Sequence, residues 1–149
     1  MCLTEPGAGS EVGACSTKAF PTDAPGLWKI KGQKCFITSG DHDMASNIIH
    51  LVLAKTEGAK EGTAGISLFI VPKFWVNDDG SMGAWNDVTT VGIEHKMGIH
   101  GSSTCTLAFG ENNNCFGWLV GDAFPVDGRG KGMSQMFRFM NEERQIGRA

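Results

Sequence analysis

Apolar and polar residues alternate in short runs along most of this chain, and the period changes only near its C-terminus. In residues 26–38, Trp28 and Ile30 alternate with Lys29 and Lys31. Gly32 then interrupts the pattern, which predicts a β-hairpin turning at that glycine. Residues 48–55 form a nearly continuous apolar run, the pattern of a strand buried on both faces. Residues 66–71 read as another strand, closed by Pro72. A polar, glycine-rich connection at 57–65 separates the two. Residues 77–85, which begin with Asn77, Asp78, Asp79 and Gly80, read as an excursion loop. Strands are predicted over 88–96, 104–109 and 115–120, with loops at 97–103 and a turn at 111–114. Near the end the period lengthens. Met133, Met136, Phe137 and Met140 fall at i, i+3, i+4 and i+7, which predicts an amphipathic helix over 133–146. The expected architecture is an all-β domain of about seven short strands with one C-terminal helix, forming a single domain over residues 1–149.

Composition narrows the class. With 149 residues, 41% hydrophobic and 19% charged, the chain suits one globular domain with a real core. A net charge of −3 and the lack of a basic run argue against nucleic-acid binding. No apolar stretch reaches membrane-spanning length, and no leader pattern opens the chain, so a cytoplasmic location is expected. The 21 glycines against 5 prolines favour tight turns between strands. Five scattered cysteines (Cys2, Cys15, Cys35, Cys105 and Cys115) form no C-x-x-C pair and read as reduced thiols.

Candidate chemistry gathers at two places. The chain opens on Met1, Cys2, Leu3, Thr4, Glu5, Pro6, Gly7, Ala8, Gly9 and Ser10. Pro6 stiffens this turn, while Gly7 and Gly9 let backbone amides approach a ligand, an arrangement that favours anions. Gly7, Gly9 and Gly13 only superficially resemble a dinucleotide fingerprint, because no strand precedes them and no helical stripe follows. The second place is Phe36, Ile37 and Thr38, where a ring and a hydroxyl on one side of a strand end could meet a flat heterocycle. Asp41, His42, Asp43 and His50 read as solvated or capping residues, and no metal site is expected. No G-x-S-x-G elbow exists to support a hydrolase.

Taken together, these segments resemble the middle domain of the acyl-CoA dehydrogenases, which are flavoenzymes. Leu3 through Ser10 match that family's most diagnostic motif. Trp28, Ile30, Gly32, Lys34, Phe36, Ile37, Thr38 and Gly40 follow at the expected distance. Next come Gly65, Ile66, Leu68 through Pro72, then Met97-Gly98, Ser102 and Thr104. Gly130, Gly132 and Met133 lead to Asn141 and Arg144. The stretches 40–43, 74–77, 94–105 and 133–136 are most similar to the subgroup related to 3-(methylthio)propanoyl-CoA dehydrogenase.

The resemblance implies a β-barrel that contacts FAD and acyl-CoA, with the family's N- and C-terminal helical domains lacking counterparts in these residues. It implies that Met1, Leu3 and Thr4 line the flavin, Thr4 at its pyrimidine edge. Gly9 and Ser10 would meet the FAD pyrophosphate, Ser10 also near the acyl-CoA. Phe36 would pack on the isoalloxazine beside Ile37, and Thr38 would hydrogen-bond near flavin N5. Asn141 and Arg144 would approach CoA. The family's reaction is α,β-dehydrogenation of an acyl-CoA thioester, part of fatty acid metabolism. A carboxylate takes the α-proton and flavin takes the β-hydrogen as hydride. That carboxylate belongs to the C-terminal helical domain, so no catalytic residue is expected here, and Glu5, Glu94 and Glu111 are not assigned the role. Weak FAD affinity for the isolated domain, an electron-transfer flavoprotein as electron acceptor of the parent enzyme, and homo-oligomers are further implications. The competing reading is a non-catalytic β-barrel interaction module that keeps the fold without flavin. A flavin reductase split barrel has less support.

Overall fold

The structure is a computed structural model that describes residues 1–121 and 127–146. Nine strands and one long helix lie among them: β1 (Lys18–Pro21), β2 (Leu27–Thr38), β3 (Ile49–Thr56), β4 (Ile66–Pro72), β5 (Phe74–Val76), β6 (Met82–Trp85), β7 (Val88–Ile93), β8 (Thr104–Phe109), β9 (Phe116–Leu119) and α1 (Gly132–Ile146). The main sheet runs β1-β3-β4-β9-β2-β8-β7, and β1 also pairs with β2. That extra pairing closes β1, β3, β4, β9 and β2 into a ring, so five strands form a barrel, while β8 and β7 continue outward from the second half of β2. Within this sheet only β1 and β3 pair in parallel.

The apolar runs explain which strands take the centre. On β3, Val52 and Ala54 face the barrel interior with Phe69 and Val71 of β4. The intervening Leu51 and Leu53 face outward against Ile66 and Leu68, beneath α1. Both faces of β3 are therefore buried, as its unbroken apolar run requires. Met133, Met136 and Met140 of α1 cover that outer layer. Phe137, placed on the same stripe by spacing, is instead half exposed at 51%. Trp28 meets Phe69 edge-on inside the barrel, with ring centroids 6.0 Å apart.

Three expectations about elements are corrected. Residues 26–38 are not a hairpin but one 12-residue strand, β2. Gly32 is there for space rather than for a turn: a Cβ at this position would lie 2.8 Å from the Thr17 Cα where β1 begins. The strand β1 itself was not foreseen, because its four residues carry little alternation. Residues 77–85 are not wholly loop either, since Met82–Trp85 pairs back on Phe74–Val76 as a small hairpin. Gly130 and Gly132 mark the entry to α1, where a Cβ would come within 2.8 Å and 2.7 Å of Ser67 on β4. The helix can press onto the barrel because both lack side chains.

Candidate functional site

Beyond the short β1, the barrel needs something to lie between β2 and β3, and the opening segment does this. The Cys2 amide donates to the Leu51 carbonyl at 2.7 Å, and the Leu53 amide to the Cys2 carbonyl at 3.1 Å. Two residues on, the Cys35 amide donates to the Thr4 carbonyl at 2.9 Å. Residues 2–4 thus stitch β3 to β2 by main-chain hydrogen bonds, which satisfy the Cys2 amide and the Cys2 and Thr4 carbonyls.

Glu5 fastens the segment from inside. Its carboxylate is 3% exposed and meets Lys34 Nζ, which is wholly buried, at 2.8 Å. It also accepts from the Ser16 amide and hydroxyl at 2.6 Å each, the Thr17 amide at 3.0 Å, the Thr17 hydroxyl at 2.5 Å and the Cys15 thiol at 3.0 Å. Burial works against the charge. The donors from Cys15, Lys34, Ser16 and Thr17 outweigh it and hold the carboxyl far below the usual range. Lys34 sends a further hydrogen bond to the Leu3 carbonyl at 3.1 Å.

Lys34 points inward in phase with Trp28 and Ile30, and a β-bulge follows it. On β8, Leu107 and Cys105 are two positions apart, yet their β2 partners Lys34 and Ile37 are three apart. The extra residue shifts parity, so Lys34 and Ile37 are both buried. Phe36 takes up the irregularity with a φ of 57°, an uncommon conformation for a bulky residue, and its side chain is 63% exposed.

These features build one groove of about 580 Å³, lined by Met1, Leu3, Thr4, Phe36, Ile37, Thr38, Ser39, Phe139 and Glu143. Its size suits a small-molecule or cofactor site. Six of the lining residues were named from the sequence. Ile37 contributes from a buried position, its side chain belonging to the core. Among the described residues, neither the Thr4 nor the Thr38 hydroxyl is bound to another protein group. Gly9, Ser10, Asn141 and Arg144 are exposed and lie outside this lining. Sequence reasoning missed Ser39, Phe139 and Glu143, as well as the buried Lys34 beneath them. A lysine flanked by the motif's apolar and aromatic positions was the available signal for Lys34.

Comparison with known proteins decides the family. Residues 1–111 match the model of the acyl-CoA dehydrogenase middle domain. This chain belongs to the acyl-CoA dehydrogenase family. It is 78% identical to a butyryl-CoA dehydrogenase of Syntrophomonas wolfei over 97% of its own length and 23% of that protein's. It is 41% identical to the 3-methylmercaptopropionyl-CoA dehydrogenase of Ruegeria pomeroyi, again over 97% and 23%. The chain thus spans about a quarter of the length of these curated relatives. An acyl-CoA dehydrogenase of Bacillus anthracis, solved in complex with FAD, matches with a TM-score of 0.59 and 29% identity over 81% of this chain and 17% of that one.

The groove fits what an acyl-CoA dehydrogenase middle domain would offer a flavin. Phe36 turns an exposed ring into it, and the free Thr4 and Thr38 hydroxyls provide hydrogen-bonding groups on both walls. The other polar clusters serve the fold. Asp41 accepts from Lys73 Nζ and the Thr90 hydroxyl, both at 2.6 Å, tying three loops and strands together. Burial opposes its ionisation, but those two partners prevail and keep the carboxyl below its usual range. All five cysteines are buried and unpaired. Burial pushes the Cys2 thiol up to about 11 and the Cys115 thiol to about 12, which leaves both as inert packing groups. His50 lies 3.8 Å from the Cys2 sulfur through Nδ1, and its Nε2 has no hydrogen-bond partner among the described residues. Burial lowers its pKa to about 4, so the ring is neutral at pH 7. No helix of the described residues is long and apolar enough to cross a membrane.

Proposed function

We propose that this chain is the flavin- and acyl-CoA-contacting β-domain of a longer, FAD-dependent acyl-CoA dehydrogenase. The observation that carries the reading is the groove, where the opening motif and the bulged end of β2, 32 to 37 positions apart in sequence, supply facing walls. In this reading Phe36 and Thr38 face the isoalloxazine, with Met1, Leu3 and Thr4 along its edge. When bound, FAD supplies the hydride-accepting chemistry of an α,β-dehydrogenation. The chain's own residues hold and orient that ring. Phe36 offers a face for stacking, the Thr4 and Thr38 hydroxyls offer hydrogen bonds, and Ile37 seals the floor against water.

Gly9, Ser10, Asn141 and Arg144 lie on exposed surface beyond the groove, where the phosphates and CoA of a bound substrate complex would run. An α-proton must be removed by a carboxylate within reach of the substrate. We assign that role to a part of the parent protein beyond these residues, in keeping with a chain a quarter of its relatives' length. An electron-transfer flavoprotein would reoxidise the parent, in a role within fatty acid metabolism.

Titration of FAD with the chain, followed by quenching of flavin fluorescence, tests the reading. The expected result is weak saturable quenching by the wild-type chain, tighter binding by the full-length parent, and loss of affinity in Thr38→Val. Absence of quenching by both wild-type proteins would favour a barrel that keeps the fold without the cofactor. Acyl-CoA oxidation by the chain alone, with FAD and an artificial acceptor, would contradict the assignment of the base elsewhere.

A further inference from the structure

We propose that Glu5 and Lys34 are positioning residues for the cofactor groove, a buried ionic latch whose role is to set the wall formed by Leu3 and Thr4 against the wall formed by Phe36 and Thr38. This rests on the groove being the flavin site. Neither residue lines the groove, so neither touches the cofactor. Both act through the backbone of those that do.

The geometry assigns a separate task to each bond. Lys34 sits on β2 just before the bulge that turns Phe36 outward. From there its ammonium reaches the Leu3 carbonyl at 3.1 Å and Glu5 Oε1 at 2.8 Å. The two residues on either side of Thr4 are thus held by the same cation. The Cys35 amide holds the Thr4 carbonyl itself at 2.9 Å. Thr4 has no freedom to shift along β2 while these three contacts persist. On the far side, Glu5 is bound by the backbone amides of Ser16 and Thr17, which lead directly into β1. The latch therefore ties three parts of the barrel to one point: the opening segment, β2 and the entry to β1.

Stability alone does not account for a charged pair in this place. Removing two charges from water costs free energy that their attraction only partly returns, and apolar residues of similar volume often hold a fold as well. A charged pair adds direction, since donor and acceptor must meet at fixed distance and angle. Direction is what the facing walls of a groove for a planar ring require.

The test uses the full-length protein that carries this domain. The double variant Glu5→Gln/Lys34→Met keeps one side-chain oxygen, for either the Ser16 or the Thr17 amide, while abolishing the ion pair and the bond to Leu3. Folding is followed by far-ultraviolet circular dichroism and thermal melting. FAD is followed by its dissociation constant and by the resolved visible bands of the bound flavin. The expected result is a cooperative melt near the wild type's, with FAD bound about tenfold or more weakly and the visible bands broadened towards those of free flavin. Should the double variant not fold, Lys34→Met alone, which leaves the Glu5 carboxylate its Cys15, Ser16 and Thr17 donors, is measured in the same way, with the same spectral change expected at a smaller loss of affinity. A folded variant with unchanged affinity and spectrum would overturn the proposal and leave the flavin site standing. A wild-type protein that takes up no FAD would overturn the functional reading, and this proposal with it.

Discussion

The opening segment and the β7 edge of the sheet both carry residues of the family pattern, and the two are finished in opposite ways. At the opening segment, Glu5 has six donors around its carboxylate and Lys34 is fully buried. Cys2 is likewise fully buried between the strands that it stitches. At the other end, β7 has a sheet partner on one side only. Val91 and Ile93 are 54% and 66% exposed there, and the following loop leaves Ile99 at 80% and Met97 at 100%. That loop is ordered by Lys96, which donates to the Ile99 and Ser102 carbonyls at 2.8 Å and 2.6 Å. Its conformation is set locally while its apolar side chains face outward. A motif can therefore act through buried polar contacts that shape a neighbouring site, or through apolar groups displayed on a surface. Only the first kind should be costly to alter in this chain.

The sharpest way to break the contrast is Glu5→Ala. It strands a buried ammonium and several donors, so a loss of about 3–5 kcal/mol is expected, measured by urea denaturation. A loss under 1 kcal/mol would erase the distinction between the two ends. Acid should act next, and at the same end, because His50 lies beneath Cys2. Its folded pKa is depressed to about 4 from 6.5, so the unfolded chain takes up a proton that the native state refuses. Stability should fall as pH drops from about 6.5 to about 4, by up to about 3 kcal/mol. Urea midpoints across that window, compared with His50→Phe, should show the slope shrinking in the variant. Glu5 works in the same direction at lower pH: its depressed carboxyl contributes fully above the unfolded value of about 4.3 and loses that contribution below it. A smaller effect is expected from Gly32→Ala, where the new methyl meets the Thr17 backbone, costing about 1–3 kcal/mol in the same assay. The smallest is Ile99→Ser on the β7 side. It should move the melting free energy by no more than about 0.5 kcal/mol while reducing aggregation seen by light scattering.

Much of the fold was legible from spacing, and the reasons are local. A nearly unbroken apolar run of strand length, bounded by turn residues, suits a doubly buried strand, so β3 and β4 were plain, and the methionine stripe of α1 announced its packed face. The failures share a cause in contacts between distant residues. Gly32 looks like a turn in sequence, but the demand for glycine comes from Thr17, fifteen positions away. The bulge at Phe36 has no signature in the alternation, since it exists only relative to β8. In the groove, the Phe36 and Thr38 pairing was readable from strand geometry, and Met1, Leu3 and Thr4 from the resemblance. Phe139 and Glu143 were not, because they sit off the stripe that identified their helix. Lys34 was visible as a motif position in phase with the buried Trp28 and Ile30, while the burial of Ile37 depends on the parity shift that the bulge creates.

Hydrogen–deuterium exchange of the full-length protein, without and with FAD, tests the central claim most directly. The account expects new protection on FAD binding in peptides covering residues 1–5 and 35–39, together with the last turns of α1, and little change along residues 91–101. Protection confined to other surfaces, with both walls of the groove exchanging as before, would contradict it.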